Sequence, residues 1–157
     1  MRRLFVLIFL NFFLFGCSAD DEIRSNPYLP DLNFSFRLDL NLPEYNSLRY
    51  PGNTFVTRNY GLNGVVVYNL NNDQYMAFEL TDLNHVPQTC SFLEVKGIEA
   101  ICGCDDGNVY SIITGQQLKG EGQYSLKPYR ITRIGNVLEV KLKGPKNALF
   151  GTLSKIS

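Results

Sequence analysis

The sequence predicts an all-β domain, an antiparallel sandwich or barrel of about eight to ten short strands, set behind a cleaved export signal. Three observations predict it. Apolar residues either alternate with polar ones or form short β-branched and aromatic runs; glycine, asparagine or proline interrupts those runs at short intervals; and no long segment carries helical periodicity with caps.

The first element is an address rather than a part of the fold. Arg2 and Arg3 form a short positive region, Leu4 to Leu10 is an uninterrupted apolar run, and Phe12 to Phe15 leads into Gly16 and Cys17. A spanning helix needs roughly 20 apolar residues, whereas this stretch is broken at Asn11 and ends before an acidic segment. Residues 1–16 therefore read as a signal peptide. Leu14-Phe15-Gly16-Cys17 resembles the lipobox of bacterial lipoproteins, although Phe15 stands where a small residue is usual. The resemblance implies that Cys17 becomes the acylated first residue. Several acyl chains hold a protein firmly to a bilayer where one does so only marginally.

Residues 17–32, with Pro27 and Pro30, read as a tether. Its acidic start, Ser18-Ala19-Asp20-Asp21-Glu22, is similar to the surface-export signal of some Gram-negative lipoproteins; it reads equally as a solvated spacer.

Residues 33–157 are expected to form a single domain. Asn33 to Leu40 sets Phe34, Phe36, Leu38 and Leu40 against Ser35, Arg37 and Asp39, the period of a half-buried strand. Val65 to Leu70 and Tyr75 to Leu80 flank Asn71-Asn72-Asp73-Gln74, whose side chains tolerate turn geometry and bond their own backbone, so a hairpin is expected. Further strands are expected at Phe92 to Val95, Ile98 to Ile101, Val109 to Ile113, Tyr129 to Ile134 and Val137 to Leu142, separated by Gly97, Gly107, Gly115 and Gly135-Asn136. Pro43, Pro51, Pro87, Pro128 and Pro145 punctuate the remainder. Four of the nine tyrosines, Tyr68, Tyr75, Tyr110 and Tyr129, fall in these runs, which assigns them to packing.

Composition excludes several functions. With 15 basic and 15 acidic side chains, no basic surface calls for nucleic acid. One histidine leaves little for imidazole-based acid–base chemistry, and neither a Ser-His-acid set nor a phosphate-cradling glycine motif is present. The chain reads as a non-enzyme.

The informative stretch runs Asp82-Leu83-Asn84-His85-Val86-Pro87-Gln88-Thr89-Cys90, then Cys102-Gly103-Cys104-Asp105-Asp106-Gly107. Downstream lie Val109-Tyr110-Ser111, Thr114-Gly115, Gly120-Glu121-Gly122 and Gly135-Asn136-Val137. Together these resemble a Rieske [2Fe-2S] domain, in which a Cys-x-His loop and a Cys-x-x-His loop present two thiolates and two imidazoles to the irons. The resemblance covers residues 62–142. It matches His85 to the first histidine ligand and Cys102 to the second cysteine ligand. The other two positions are substituted: the first cysteine falls at Leu83, or at Asp82 with one residue of slip, and the second histidine falls at Asp105. Glu121 also stands where the family has proline.

The resemblance further implies that Cys90 and Cys104 form the disulfide joining the two loops, with Cys102 left as a thiol beside His85; Cys90 with Cys102 is the competing pairing. A Cys3His zinc site from Cys90, Cys102, Cys104 and His85 is allowed by the count, but the single residue between Cys102 and Cys104 and an oxidising compartment speak against it. On the residues alone, His85 fits a surface or packing role, Asp105-Asp106 fits turn chemistry, and a Cys102/His85 pair mimics a nucleophile and base.

What emerges is a lipid-anchored protein of the bacterial cell envelope, with the outer membrane favoured over the inner. Its Rieske-like domain is expected to have lost the cluster and to act as a binding or structural module. Its partners would be the membrane, through Cys17, and an unidentified envelope protein or ligand. The alternative is a [2Fe-2S] electron-transfer protein with atypical ligands, Asp105 among them.

Overall fold

The computed structural model describes Tyr28 and residues 33–142. The signal segment, Cys17, the rest of the tether and the stretch beyond residue 142 lie outside the described residues. Ten strands follow in chain order: β1 (Ser35–Asp39), β2 (Thr54–Thr57), β3 (Val65–Asn69), β4 (Tyr75–Glu79), β5 (Leu93–Lys96), β6 (Glu99–Cys102), β7 (Val109–Ser111), β8 (Gln117–Lys119), β9 (Arg130–Ile134) and β10 (Val137–Lys141). A single 3₁₀ turn, Pro43–Arg49, interrupts them among the described residues. None of the described helical structure is long and apolar enough to cross a membrane. The domain is all-β and antiparallel, as the alternating runs predict.

The strands form three sheets, ordered β1-β10-β9, β2-β3-β4 and β5-β6-β7-β8. The first pairs the two ends of the described chain, with Phe36 opposite Val140 and Leu38 opposite Leu138. Its inner hairpin closes at Gly135, whose φ of +62° places it in the left-handed region that a two-residue hairpin turn requires. The β3–β4 hairpin is closed by side chains instead: Asn71 Oδ1 accepts from the backbone of Asp73 and Gln74, and Asn72 takes a φ of +70°.

Strand β3 explains why one run in the sequence does not alternate. Val65 and Val67 enter a core with Phe36, Leu38, Leu138 and Val140, while Val66 and Tyr68 enter a second core with Leu80, Leu93, Tyr110 and Ile112. A strand buried on both faces has no polar side to show. Each of Val65, Val66 and Val67 is 0% exposed, and fully burying such a side chain contributes about 1.5–3 kcal/mol. The second core carries the β5–β8 sheet, and Cys102 at the end of β6 belongs to it.

A buried carboxylate joins the sheets. Glu79, at the end of β4, is 0% exposed. It accepts from the backbone of Leu62 and Asn63, from Thr81 Oγ1 and from the Tyr129 hydroxyl. Four donors offset the desolvation that an isolated buried carboxylate would suffer.

Candidate functional site

Three loops meet beyond the ends of β4 and β6. The first, residues 80–92, starts as an extension of β4: Leu93 N–H donates to Leu80 O and Asp82 N–H to Ser91 O, both at 2.8 Å. It closes on itself where Ser91 N–H reaches Gln88 O and Gln88 N–H reaches Ser91 Oγ. The second, residues 103–108, turns through an Asx motif in which Asn108 N–H donates to Asp106 Oδ1 at 3.0 Å. Gly103 N–H donates to Phe92 O, which ties this loop to the first. A disulfide between Cys90 and Cys104, with Cα atoms 4.9 Å apart, joins them covalently.

The third loop, residues 120–124, wraps the side chain of Asn84. Its Oδ1 accepts from the backbone of Gln123 and Tyr124, and its Nδ2 donates to Tyr124 O and the Tyr110 hydroxyl. Gly122 makes this approach possible, because a Cβ there would lie 2.2 Å from Asn84 Cγ.

Four donor groups converge where the first two loops touch. His85 Nε2 lies 3.1 Å from Asp106 Oδ2, 3.6 Å from Asp82 Oδ2 and 3.6 Å from Cys102 Sγ. Asp82 is wholly buried and Cys102 nearly so, whereas His85 and Asp106 keep about a quarter of their side chains exposed. The site thus has a buried floor and a solvent-facing rim.

Each donor is held from behind. Asp82 Oδ1 accepts from the Tyr110 hydroxyl and from Asn84 N–H, and Asp82 Oδ2 accepts from Asn108 Nδ2. The same Asn108 amide donates to Asp106 Oδ2 at 3.1 Å. His85 Nδ1 lies 3.0 Å from Val86 O and 3.4 Å from Ser91 Oγ. A carbonyl can only accept, so this contact places a proton on Nδ1 and leaves Nε2 directed at the carboxylates. Cys104 N–H points at Cys102 Sγ.

Electrostatics follow from the same contacts. Burial pushes the Asp82 carboxyl up, but donors from Tyr110, Asn84, Asn108 and Cys102 outweigh it and hold the group below its ordinary value. Burial pushes the Cys102 thiol up to about 12; the Cys104 amide opposes this, while Asp82 and Asp106 add to it. A thiol so placed is a poor nucleophile at neutral pH.

The structure brings His85 and Cys102 together; of the two first-loop alternatives Asp82 is the one beside them, and in the second loop Asp106 stands there in place of Asp105. Leu83 is buried, and its neighbour Asp82 supplies the inward-facing group. Asp105 is exposed, and Asp106 is the carboxylate that meets His85. The reason is local register: the Asp82–Ser91 backbone bond turns residue 82 inward, and the Asx turn on Asn108 selects Asp106 over Asp105. Asn84, Asn108 and Tyr110 escaped the sequence reading because each acts through contacts with distant loops. The Cys3His zinc set is not available either, since Cys90 and Cys104 spend their sulfurs on each other.

A Rieske centre requires two thiolates on one iron and two imidazoles on the other. This site offers one of each, with carboxylates in the remaining places. Its thiol sulfur and imidazole nitrogen, 3.6 Å apart, are also too close to be split across a core of two irons and two sulfides. The residues present do not fit the cluster.

No family model matches the chain, and no curated protein matches it. Among solved structures, a chain from the complex of reduced oxygenase and oxidized ferredoxin in carbazole 1,9a-dioxygenase is similar at 15% identity and a TM-score of 0.43, with 71% of this chain and 94% of that one covered. The ferredoxin of carbazole 1,9a-dioxygenase from Nocardioides aromaticivorans IC177 is similar at 13% identity and a TM-score of 0.38, with 60% and 88% covered.

Proposed function

We propose that this chain is a lipid-anchored protein of the bacterial cell envelope whose Rieske-like β domain does not carry an iron–sulfur cluster and serves as a non-catalytic binding or structural module. One observation carries the reading: the two tied loops and their disulfide are kept, while the groups they present are Asp82, His85, Cys102 and Asp106 instead of two thiolates and two imidazoles. Anchoring rests on the signal at residues 1–16 and on Cys17.

Iron and acid-labile sulfide analysis after anaerobic expression, with a visible spectrum, tests the cluster. A colourless protein without sulfide is the expected result; a red-brown protein with about two irons per chain would replace this reading with electron transfer. The intact mass of membrane-extracted protein tests the anchor. It should show residues 1–16 removed and acyl chains added at Cys17, and an unmodified full-length mass would exclude it.

A further inference from the structure

We propose that Asp82, His85, Cys102 and Asp106 form a binding site for a single divalent transition-metal ion of the zinc type, held between the two tied loops. The inference rests on the reading that no iron–sulfur cluster occupies this place, and it names the ligand of that same site.

Distance is the first argument. Zinc takes nitrogen and oxygen ligands at about 2.0–2.2 Å and sulfur at about 2.3 Å, so two ligand atoms on one tetrahedral ion lie about 3.3–3.6 Å apart. Of the separations measured from His85 Nε2, 3.6 Å to Asp82 and 3.6 Å to Cys102 match edges of such a tetrahedron, and 3.1 Å to Asp106 is slightly shorter than one.

Orientation is the second. With Nδ1 turned to Val86 O, Nε2 faces two carboxylate oxygens. A borderline-soft ion would use all four groups, the sulfur included.

The third argument is the support behind each ligand. Ligating histidines usually donate their other N–H to a carbonyl, and ligating carboxylates are themselves hydrogen-bonded. Both features are present: Val86 O receives His85 Nδ1, and one amide, Asn108 Nδ2, donates to Asp82 and Asp106 together. The Cys104 N–H aimed at Cys102 Sγ is placed to favour a metal-bound sulfur. On binding, the S–H bond of Cys102 is replaced by a sulfur–metal bond and the proton leaves to solvent. Two carboxylates, a thiolate and a neutral imidazole leave the occupied site with one net negative charge.

The test uses the full chain, extracted from membranes, stripped with a chelator and titrated with Co2+ and then Zn2+. The expected result is one ion per chain, a near-ultraviolet sulfur-to-cobalt charge-transfer band with four-coordinate visible bands, and displacement of cobalt by zinc. Cys102→Ser should abolish the charge-transfer band. Asp106→Asn and His85→Ala, at partly exposed positions where folding is least at risk, should weaken binding by about 10–100-fold. Absence of binding, or cobalt binding without a sulfur band, would overturn the proposal. Failure of the two readings is distinguishable: a colourless, sulfide-free protein that takes up no cobalt removes the mononuclear site alone, whereas a two-iron, two-sulfide protein removes both.

Discussion

The Tyr110 hydroxyl donates to Asp82 Oδ1 at 2.6 Å, joining the centre of strand β7 to the floor of the site. Both groups are 0% exposed, and both are changed by the contact. Burial, and then the bond to Asp82, raise the Tyr110 phenol above its ordinary range, while the same bond lowers the Asp82 carboxyl. Tyr110→Phe keeps the ring and removes the donor, so a buried carboxylate loses one of its partners. The expected cost is about 1–3 kcal/mol, read as a lower urea midpoint in chelator-treated protein. A midpoint unchanged from wild type would mean that Asp82 is not held as described.

Asn84 is the hinge pin between the first and third loops, and Gly122 is the space it occupies. Gly122→Ala would set a methyl group 2.2 Å from Asn84 Cγ, expelling the amide from bonds to Tyr110, Gln123 and Tyr124. A loss of about 1–3 kcal/mol is expected. The sharper expectation concerns the pair. Asn84→Ala combined with Gly122→Ala should cost less than the sum of the two single changes, because each removes the same contacts; strict additivity would show that Gly122 acts elsewhere.

Legibility of the sequence differed sharply between elements. Strand β1 and the two hairpins β3–β4 and β9–β10 could be placed to within a residue or two, since alternation and Asn or Gly turns are local signals. Strand β8 could not, because Gln117-Leu118-Lys119 is a polar, largely exposed edge with a register irregularity against β7. Strand β2 left a better trace: Thr54-Phe55-Val56-Thr57, just after Gly52-Asn53, is a β-branched and aromatic run that four residues make easy to overlook. Pro43 likewise marks the start of the 3₁₀ turn, whose seven residues are too few to show a periodic face.

Within the site, the residues with rare chemistry stood out and the ordinary ones did not. The single histidine and the clustered cysteines were conspicuous in the sequence, yet the first-loop position stayed open between Leu83 and Asp82, and the second was assigned to Asp105 where Asp106 is the carboxylate that meets His85. No count along the chain could resolve that. Whether residue 105 or 106 faces inward is decided by the turn on Asn108, and Asn108 is itself fixed by Gln117 Nε2 from the neighbouring strand.

The disulfide closes a loop with a sequence separation of 14. In the chain-entropy model such a loop contributes about 3 kcal/mol, so Cys90→Ser with Cys104→Ser should lower stability by about that amount. Peptide mapping without reduction should recover Cys90 joined to Cys104. Cys102, 7% exposed and with its thiol pushed up to about 12, should resist alkylation near neutral pH until the chain is unfolded. Recovery of a Cys90–Cys102 link would refute the assignment.

Glu79 and Tyr129 make a comparable prediction for alkaline pH. Burial, then the charge of Glu79 and the bond to it, raise the Tyr129 phenol above its ordinary value of 10.0. A group whose pKa is raised on folding contributes stability that is complete below the unfolded value and fades as pH climbs through the folded one. At neutral pH, Tyr129→Phe removes a donor from a buried carboxylate and should cost about 1–3 kcal/mol. Above about pH 10 the unfolded wild-type chain releases the Tyr129 proton while the folded chain keeps it. Wild type therefore loses an advantage that the Phe variant never had, and the other tyrosines affect both proteins alike. The gap between their urea midpoints should narrow from neutral pH to about pH 11; a gap that stays constant or widens would show that the Tyr129 hydroxyl is not buried against Glu79.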